Sequence, residues 1–432
     1  MATTDSVSVF AEGTFEDQIR ELVDYLARGL SGDDRQNTFG QILELIKTVP
    51  LPEGETPQRP PAISRENQAK VLSLLVLEVK GLGEGSEKEV EGFFNLLFAH
   101  LFNLFPIDSD EIKVHVNALL KAITSPKGQF SSQYRLLSFL FNAIPRNSAL
   151  RLTVYETLIR QASSHDKVEL LQIAPESIER WTSEWAITPE QKFGFLRLLV
   201  EVFEKAGQST TSYQYLLISL RNLPPDSPHA ESSAIRAISA SLRLPSVFDF
   251  DTLFKIDAMI KLQGHELFSL LKVFLSGGLE DYKNWESEHS ASIEKYGLDK
   301  AQLERKIRLL TLASLGFQNI GKDVPYATLA SALQVDQSEV ERWVIDVIRA
   351  GLVSGKLSQS SRVFHITRST SRVFERDQWI ALEQRLVAWQ TGLAAVLAVV
   401  TSAREKGNER SIGDNYKIAS TESTTQAPSV AA

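Results

Sequence analysis

Apolar residues recur along this chain at the spacing of a helix face. Between Phe15 and Leu30 they fall three or four residues apart, which places them along one side of an α-helix. The same spacing recurs over residues 42–46, 71–79, 90–105, 112–123, 134–144, 150–159, 193–203 and 213–220. Short breakers such as Pro106 and Pro145 separate these segments. The pattern predicts an all-α fold in which antiparallel helices stack as a right-handed helical-repeat solenoid.

The charge and cysteine content narrow the function classes. The chain has 46 Lys and Arg against 54 Asp and Glu, a net charge of −8, which argues against attraction of the whole surface to phosphate backbones or anionic membranes. It contains no cysteine, so disulfides, thiolate metal sites and cysteine nucleophiles are excluded. The absence of cysteine fits a reducing compartment, which favours the cytosol or the nucleus, and we expect a cytoplasmic protein.

No targeting or membrane segment is expected. Residues 1–13 lack a basic region followed by an apolar stretch. The apolar window Gly92 to Phe105 is shorter than the roughly 20 residues that a membrane span needs, and it is better interpreted as a buried helix. We therefore expect no membrane partner.

Three segments depart from the helical pattern. We predict a flexible N-terminus over residues 1–14, an exposed proline-rich loop over 50–62 and a disordered tail over 407–432. The helical-repeat domain is then predicted to span residues 15–205.

The pattern changes after Leu298. Apolar residues over 303–317, 326–333 and 340–348 predict three helices. Alternating, β-branched residues over 353–357 and 363–367 predict a hairpin. Three helices followed by a small hairpin make a winged helix, which we place at about residues 300–370.

One string in the chain resembles a catalytic motif but lacks a residue that the motif needs. Gly316 to Lys322 has the G-x-x-x-x-G-K spacing of a phosphate-binding loop, but Asp323 stands where the magnesium-binding hydroxyl is needed and a helix precedes it. We interpret it as a helix-ending turn. The seven histidines lack metal-ligand spacing. We predict no enzyme activity, cofactor, metal or small-molecule substrate.

One local charge pattern is compatible with nucleic-acid contact. Residues 349–372 carry five basic residues and no Asp or Glu in a chain that is acidic overall. This makes three residues of the hairpin region candidates for RNA contact: Arg362, Arg368 and Arg372. The alternative is a solvated wing or a charged protein interface.

A helical solenoid that runs into a winged helix resembles the PCI-domain family, found in the proteasome lid, the COP9 signalosome and eukaryotic translation initiation factor 3. Residues 305–315 (RKIRLLTLASL) and 340–357 (VERWVIDVIRAGLVSGKL) carry this resemblance, which covers residues 206–374. A helix predicted over 375–406 is similar to the terminal helix of the subunit M family of that initiation factor. The residues that carry this second resemblance are Arg372, Phe374, Gln378, Trp379, Leu382, Leu386, Trp389 and Leu393.

The resemblance implies a scaffold role in translation initiation. Its expected partners are other PCI and MPN subunits and, through the complex, the small ribosomal subunit, with recruitment of mRNA and initiator tRNA. The expected contacts are an edge strand of the winged helix, which extends a neighbour's sheet, and an apolar stripe on the terminal helix. The predicted partner-binding residues are Val353, Leu357, Val363, Phe364, Ile366, Trp379, Leu382, Leu386, Trp389 and Leu393. The alternatives are a COP9 signalosome subunit and a stand-alone nucleic-acid-binding regulator.

Overall fold

The computed structural model describes residues 13–28, 32–46, 63–125, 129–171, 173–224, 226–373 and 376–422. Contacts divide the chain into two compact units. The first comprises residues 1–247, 252–269 and 292–299, and the second comprises 248–251, 270–291 and 300–432. The N-terminus was predicted to be flexible over residues 1–14; residues 1–12 lie outside the described residues, as does the proline-rich loop at 50–62, whereas Thr14 is the N-cap of the first helix. The predicted domain boundary at 205/206 falls inside the first unit. The predicted domain limits stay a prediction.

The first unit is helical throughout its described part. Its helices are α1 (Phe15–Leu26), α2 (Gly32–Ile46), α3 (Arg65–Glu78), α4 (Glu87–Leu104), α5 (Asp110–Ile123), α6 (Phe130–Ala143), α7 (Leu150–Ser164), α8 (Pro175–Glu184), α9 (Pro189–Lys205), α10 (Ser209–Arg221) and α11 (Ala230–Arg243). The unit also contains two 3₁₀ segments, Val168–Leu171 between α7 and α8 and Asp257–Leu262 after α11. Three further helices run across a boundary between the units: α12 (Asp251–Phe254), α13 (Glu266–Ser276) and α15 (Ser290–Lys295).

Local side-chain chemistry starts several of these helices. In α1, the Thr14 side chain accepts a hydrogen bond from the Asp17 amide, and the Asp17 carboxylate accepts one from the Thr14 amide at 3.1 Å. The same capping box opens α4 and α9. It satisfies amide groups that the first helical turn leaves without partners. In α4 the inward face carries Phe94 and Leu97, both fully buried, so the apolar window at 92–105 belongs to a buried helix, as predicted.

The second unit contains the predicted winged helix. Its elements are α14 (Leu279–Glu288), α16 (Lys300–Gln318), β1 (Asp323–Pro325), α17 (Tyr326–Leu333), α18 (Val340–Arg349), β2 (Val353–Ser358) and β3 (Val363–Ser369), with a 3₁₀ turn at Gln337–Glu339. Leu329, Val344 and Phe364 lie in its core with no exposed surface. The predicted fold class, a helical array with a winged-helix module, is confirmed.

The sheet has a strand that the sequence pattern did not predict. The strand order is β1-β3-β2, and β1 pairs with β3 through Asp323 opposite His365 and Pro325 opposite Val363. A three-residue strand is too short to display alternation, which explains why it was missed. As predicted, the Gly316–Lys322 string is a helix end, because α16 stops at Gln318 and Gly321 adopts φ +78°.

A final helix, α19, runs from Arg376 to Glu422. The predicted helix end at 406 and the predicted disordered tail from 407 are corrected accordingly: residues 407–422 are helical, and 423–432 lie outside the described residues. No proline occurs between Arg376 and Glu422 to interrupt the backbone ladder. Extending an existing helix adds one hydrogen bond for each residue fixed, so the helix continues through a polar sequence.

Candidate protein-interaction surfaces

The winged-helix sheet has one edge made by β2. In the register, Val353 lies opposite Ser369 and Ser358 lies opposite Val363, and β3 is the strand that pairs with β2. The other side of β2 has no strand beside it in the described part of the chain. A β-bulge occurs between Ser354 and Gly355, where the strand is forced close to its neighbour. We call Val353–Ser358 the edge strand.

Several predicted partner-binding residues belong to the core instead. Strand β3 is the central strand, paired on both sides, so Val363, Phe364 and Ile366 are not on an edge. The side chains of Val353, Phe364 and Ile366 are buried among the winged-helix core residues. Those side chains stabilise the module and do not face a partner. The correction follows from β1, which covers the edge that the hairpin alone would leave open.

The terminal helix presents the predicted apolar stripe to solvent. Trp379 and Trp389 are 62% and 67% exposed, and Leu382, Leu386 and Leu393 are also exposed. We call these five residues the terminal-helix stripe. Their spacing alternates between three and four residues, the heptad spacing of helices that pack side by side. The prediction missed Val396 and Val400, which continue the same spacing and are also exposed.

Apolar residues also occupy the other faces of this helix. Ile380, Val387, Leu397 and Val399 are exposed alongside the stripe. Residues Gln378–Arg404 are long and apolar enough to cross a membrane by length and composition alone. The same length and composition also suit a helix that partner helices surround on several sides. The sequence prediction named Gly92 to Phe105 as the apolar window and overlooked this longer one, and the absence of a membrane partner stays a prediction.

The candidate RNA-contact residues fall into two groups. Arg362 and Arg368 are exposed, and Arg362 sits at the hairpin turn with φ +51°. Arg372 points inward. Its Nε donates to the Leu310 carbonyl at 2.8 Å and its Nη1 donates to the Gly277 carbonyl at 2.7 Å. Burial lowers the pKa of this guanidinium to about 10, so it stays charged at neutral pH. Its assignment as an RNA contact is therefore corrected to a structural role.

Helix α18, the third helix of the winged helix, carries charges of both signs, because Glu341 and Asp346 occur on the same helix as the exposed Arg342 and Arg349. Glu341 accepts a hydrogen bond from Gln359 in the hairpin at 2.8 Å, and Asp346 pairs with Arg305 at 2.9 Å. Ile345 is exposed on the same helix. Carboxylates and an exposed aliphatic side chain are unfavourable next to phosphates, so this helix is better suited to protein contact.

Comparisons with known proteins match both surfaces. A PCI-domain model matches residues 281–368, and a model described as eIF3 subunit M, C-terminal helix matches residues 372–400. A curated relative from Phaeosphaeria nodorum, named eukaryotic translation initiation factor 3 (eIF3) subunit M, is 33% identical over 94% of this chain and 92% of its own length. The chain belongs to the eIF3 subunit M family. Subunit M relatives from Chaetomium globosum and Emericella nidulans are each 32% identical, over 88% and 93% of this chain and 84% and 90% of their own lengths.

Membership of the subunit M family decides between the two PCI complexes considered from the sequence. The subunit M helix model begins at Arg372 and covers the whole terminal-helix stripe. The winged helix and the exposed helix are thus the parts of this chain that the PCI and subunit M models describe. The specific roles of individual residues within these surfaces stay predictions.

Proposed function

We propose that this chain is a non-catalytic structural subunit of eIF3, which it joins through the edge strand and the terminal-helix stripe. The observation that carries this proposal is the exposure of α19. Monomeric soluble proteins rarely leave a long contiguous apolar surface in water, and such surfaces mark contact sites. Here that surface coincides with the segment matched by the subunit M helix model.

The stripe supports contact with helices of other subunits. Heptad spacing keeps one seam of a helix facing a partner, with each side chain inserted between residues of the neighbouring helix. Trp379 and Trp389 lie 10 positions apart in that seam, and buried tryptophans are the residues that most often dominate interface energetics, at about 2 kcal/mol or more each. The additional exposed residues on the other faces favour a bundle of helices over a single pair.

The edge strand supports contact with a neighbouring winged helix. Strand β2 leaves backbone amide and carbonyl groups on its outer side, and these groups are ready to pair with a strand from another subunit. Neighbouring PCI subunits are the partners that this geometry fits. MPN subunits are expected to join through the helix bundle.

The proposed biological role follows from membership in that assembly. The chain would help to build the platform that binds the small ribosomal subunit and recruits mRNA and initiator tRNA in the cytoplasm. A second candidate function, direct RNA contact, is favoured by the exposed Arg362 and Arg368 on the hairpin. Lys356 of β2 and Arg349 at the end of α18 are two further exposed cations of the same unit.

Affinity purification tests the structural role. The tagged full-length chain and a Trp379→Ala, Trp389→Ala variant are purified from cells, and the co-purifying proteins are quantified by mass spectrometry. We expect other eIF3 subunits with the native chain and at least a ~10-fold loss with the variant. A Gln384→Ala, Gln390→Ala variant of the same helix is the matched control and should recover the complex normally. Equal recovery with all three chains would contradict the proposed interface.

A further inference from the structure

A groove in the first unit lies between α3 and α5, well apart in sequence from the surfaces described above. Leu74 of α3 and Val114 of α5 form its walls, with Leu45 from the end of α2 and Phe105 after α4. Its volume is about 690 Å³, within the range of cavities that hold a ligand or several side chains. The groove is therefore large enough to accept part of another chain.

Exposed apolar side chains concentrate beside this groove. Outside α19, the large apolar side chains exposed in the described part of the chain are Leu77, Val114, Leu170, Phe254 and Ile345. Two of these five adjoin the groove: Val114 lines it, and Leu77 follows Leu74 by one helical turn. Each is 60% exposed. A local concentration of exposed aliphatic groups around a concave site is typical of a surface that a partner covers.

A buried histidine in the groove wall has an unused hydrogen-bonding atom. His115 is 93% buried, and its Nε2 lies 3.2 Å from Ser73 Oγ. The Ser73 hydroxyl donates its one proton to the Ala69 carbonyl at 2.9 Å, so Nε2 donates to Ser73 and Nδ1 keeps a lone pair. Nδ1 is itself buried and has no hydrogen-bond partner among the residues that the structure describes. Burial lowers the pKa of His115, which keeps the ring neutral and Nδ1 an acceptor.

The charged groups of the groove are also mainly acceptors. Glu66 and Glu111 contribute two exposed carboxylates and Lys70 contributes one ammonium group. None of the three forms an ion pair within the part of the chain that the structure describes. Two exposed carboxylates against a single ammonium group leave the groove with a net negative charge. A complementary partner must therefore bring hydrogen-bond donors and positive charge together with apolar surface.

We propose that this groove binds a segment of a neighbouring subunit that carries a bulky apolar side chain next to a Lys or Arg. The apolar side chain packs against Leu74 and Val114, and the cation lies between Glu66 and Glu111. The proposal rests on the chain's place in an assembly, but it involves none of the residues of the edge strand or the terminal-helix stripe.

Photo-crosslinking in the assembled complex identifies the occupant. Benzoylphenylalanine replaces Val114 in the tagged full-length chain, and the crosslinked peptide is identified by mass spectrometry after irradiation. The matched control places the same probe at Leu170, an exposed apolar position away from the groove. We expect the probe at Val114 to crosslink to one segment of another subunit, and the probe at Leu170 not to do so. That segment should contain Lys or Arg within four residues of a large apolar residue. Crosslinks to residues 47–62 of this chain or to a second copy of it would overturn the proposal. A crosslink yield at Val114 no higher than that at Leu170 would also overturn it.

Charge substitutions test the chemistry of the partner. In the Val114 probe background, Glu66→Gln with Glu111→Gln should lower the crosslink yield about 3- to 10-fold, since each exposed ion pair contributes modestly. Lys70→Gln should raise it. The reverse signs would indicate an acidic partner and would contradict the proposal, as would no change in either variant. Failure to recover any complex contradicts the proposed function, whereas recovery without a Val114 crosslink contradicts only the groove.

Discussion

Arg385 of α19 donates a hydrogen bond from Nη2 to the carbonyl of Phe317 at 3.2 Å, and its guanidinium lies 5.0 Å from the centre of the Phe317 ring. Phe317 stands at the last turn of α16. This contact combines a charge-assisted hydrogen bond with a cation–π interaction. It fixes the base of the terminal helix against the winged-helix unit while Trp379 and Trp389 remain exposed.

Replacing this anchor should loosen the base of the helix. We expect Arg385→Ala to accelerate amide hydrogen exchange over residues 376–390, by about 5- to 30-fold for a loss of about 1 to 2 kcal/mol. Hydrogen–deuterium exchange with mass spectrometry measures it. Arg404→Ala, on the exposed part of the same helix, is the control and should leave these rates unchanged. Unchanged rates in both variants would show that the Phe317 contact does not restrain α19.

Arg372 and Arg368 belong to the same basic segment of the sequence, but their replacement should change the free energy of unfolding by different amounts. Arg372→Met removes the guanidinium that donates to the Leu310 and Gly277 carbonyls, and we expect the free energy of unfolding to fall by about 2 to 3 kcal/mol. Arg368→Met removes an exposed side chain and should change it by less than about 0.5 kcal/mol. Chemical denaturation of both variants measures the difference. Similar values for the two would contradict the structural role of Arg372.

Glycine at position 355 is required by close packing in the hairpin. A Cβ there would lie 2.6 Å from the Phe364 ring and still closer to the His365 carbonyl oxygen. We expect Gly355→Ala to destabilise the winged helix by about 1 to 3 kcal/mol. The control is Gly392→Ala in α19, where a Cβ meets nothing within 4 Å. There alanine should favour the helix by about 0.5 to 1 kcal/mol. Thermal unfolding followed by circular dichroism compares them.

Lys306 should make stability depend on pH. Burial lowers the pKa of this ammonium group from 10.5 to about 7, so the folded state prefers the neutral amine. Between pH 7 and 10 the unfolded chain holds more protons than the folded one. The free energy of unfolding therefore rises with pH across this window, at up to about 1.4 kcal/mol per pH unit. Lys306→Met should flatten that rise in urea titrations at pH 7, 8 and 9. An unaltered slope would show that Lys306 titrates normally.

The hairpin cations should affect RNA contact if the second candidate function holds. We expect Arg362→Glu with Arg368→Glu to lower ultraviolet crosslinking of this chain to RNA in the assembled complex several-fold, because reversed charges repel phosphates. Reversal of Arg197, on α9 of the first unit, is the control. Equal crosslinking in both variants would show that the hairpin faces protein or solvent and does not contact RNA.

The sequence by itself determined the elements whose causes are local. Capping groups lie three residues from their partners, and apolar spacing sets each helix face, so α1, α4 and the terminal-helix stripe could be predicted. Heptad spacing from Trp379 onward likewise predicted a surface for helices, and this surface extends beyond the predicted residues to Val396 and Val400. Residues 340–357 predicted α18 and β2 for the same reason.

The tertiary structure decided what depends on distant contacts. Strand β1 meets β3 across 42 residues of sequence, from Asp323 to His365, and this pairing moves β3 from an edge to the centre of the sheet. The Gly277 carbonyl that holds Arg372 lies 95 residues before it, so no local pattern separates this arginine from Arg362 or Arg368. The exposure of the terminal-helix stripe also depends on tertiary structure. The spacing of its apolar residues is visible in the sequence, but only the packing of the whole chain leaves them exposed. Helix formation is set by neighbours in sequence, whereas burial, strand order and charge pairing are set by neighbours in space.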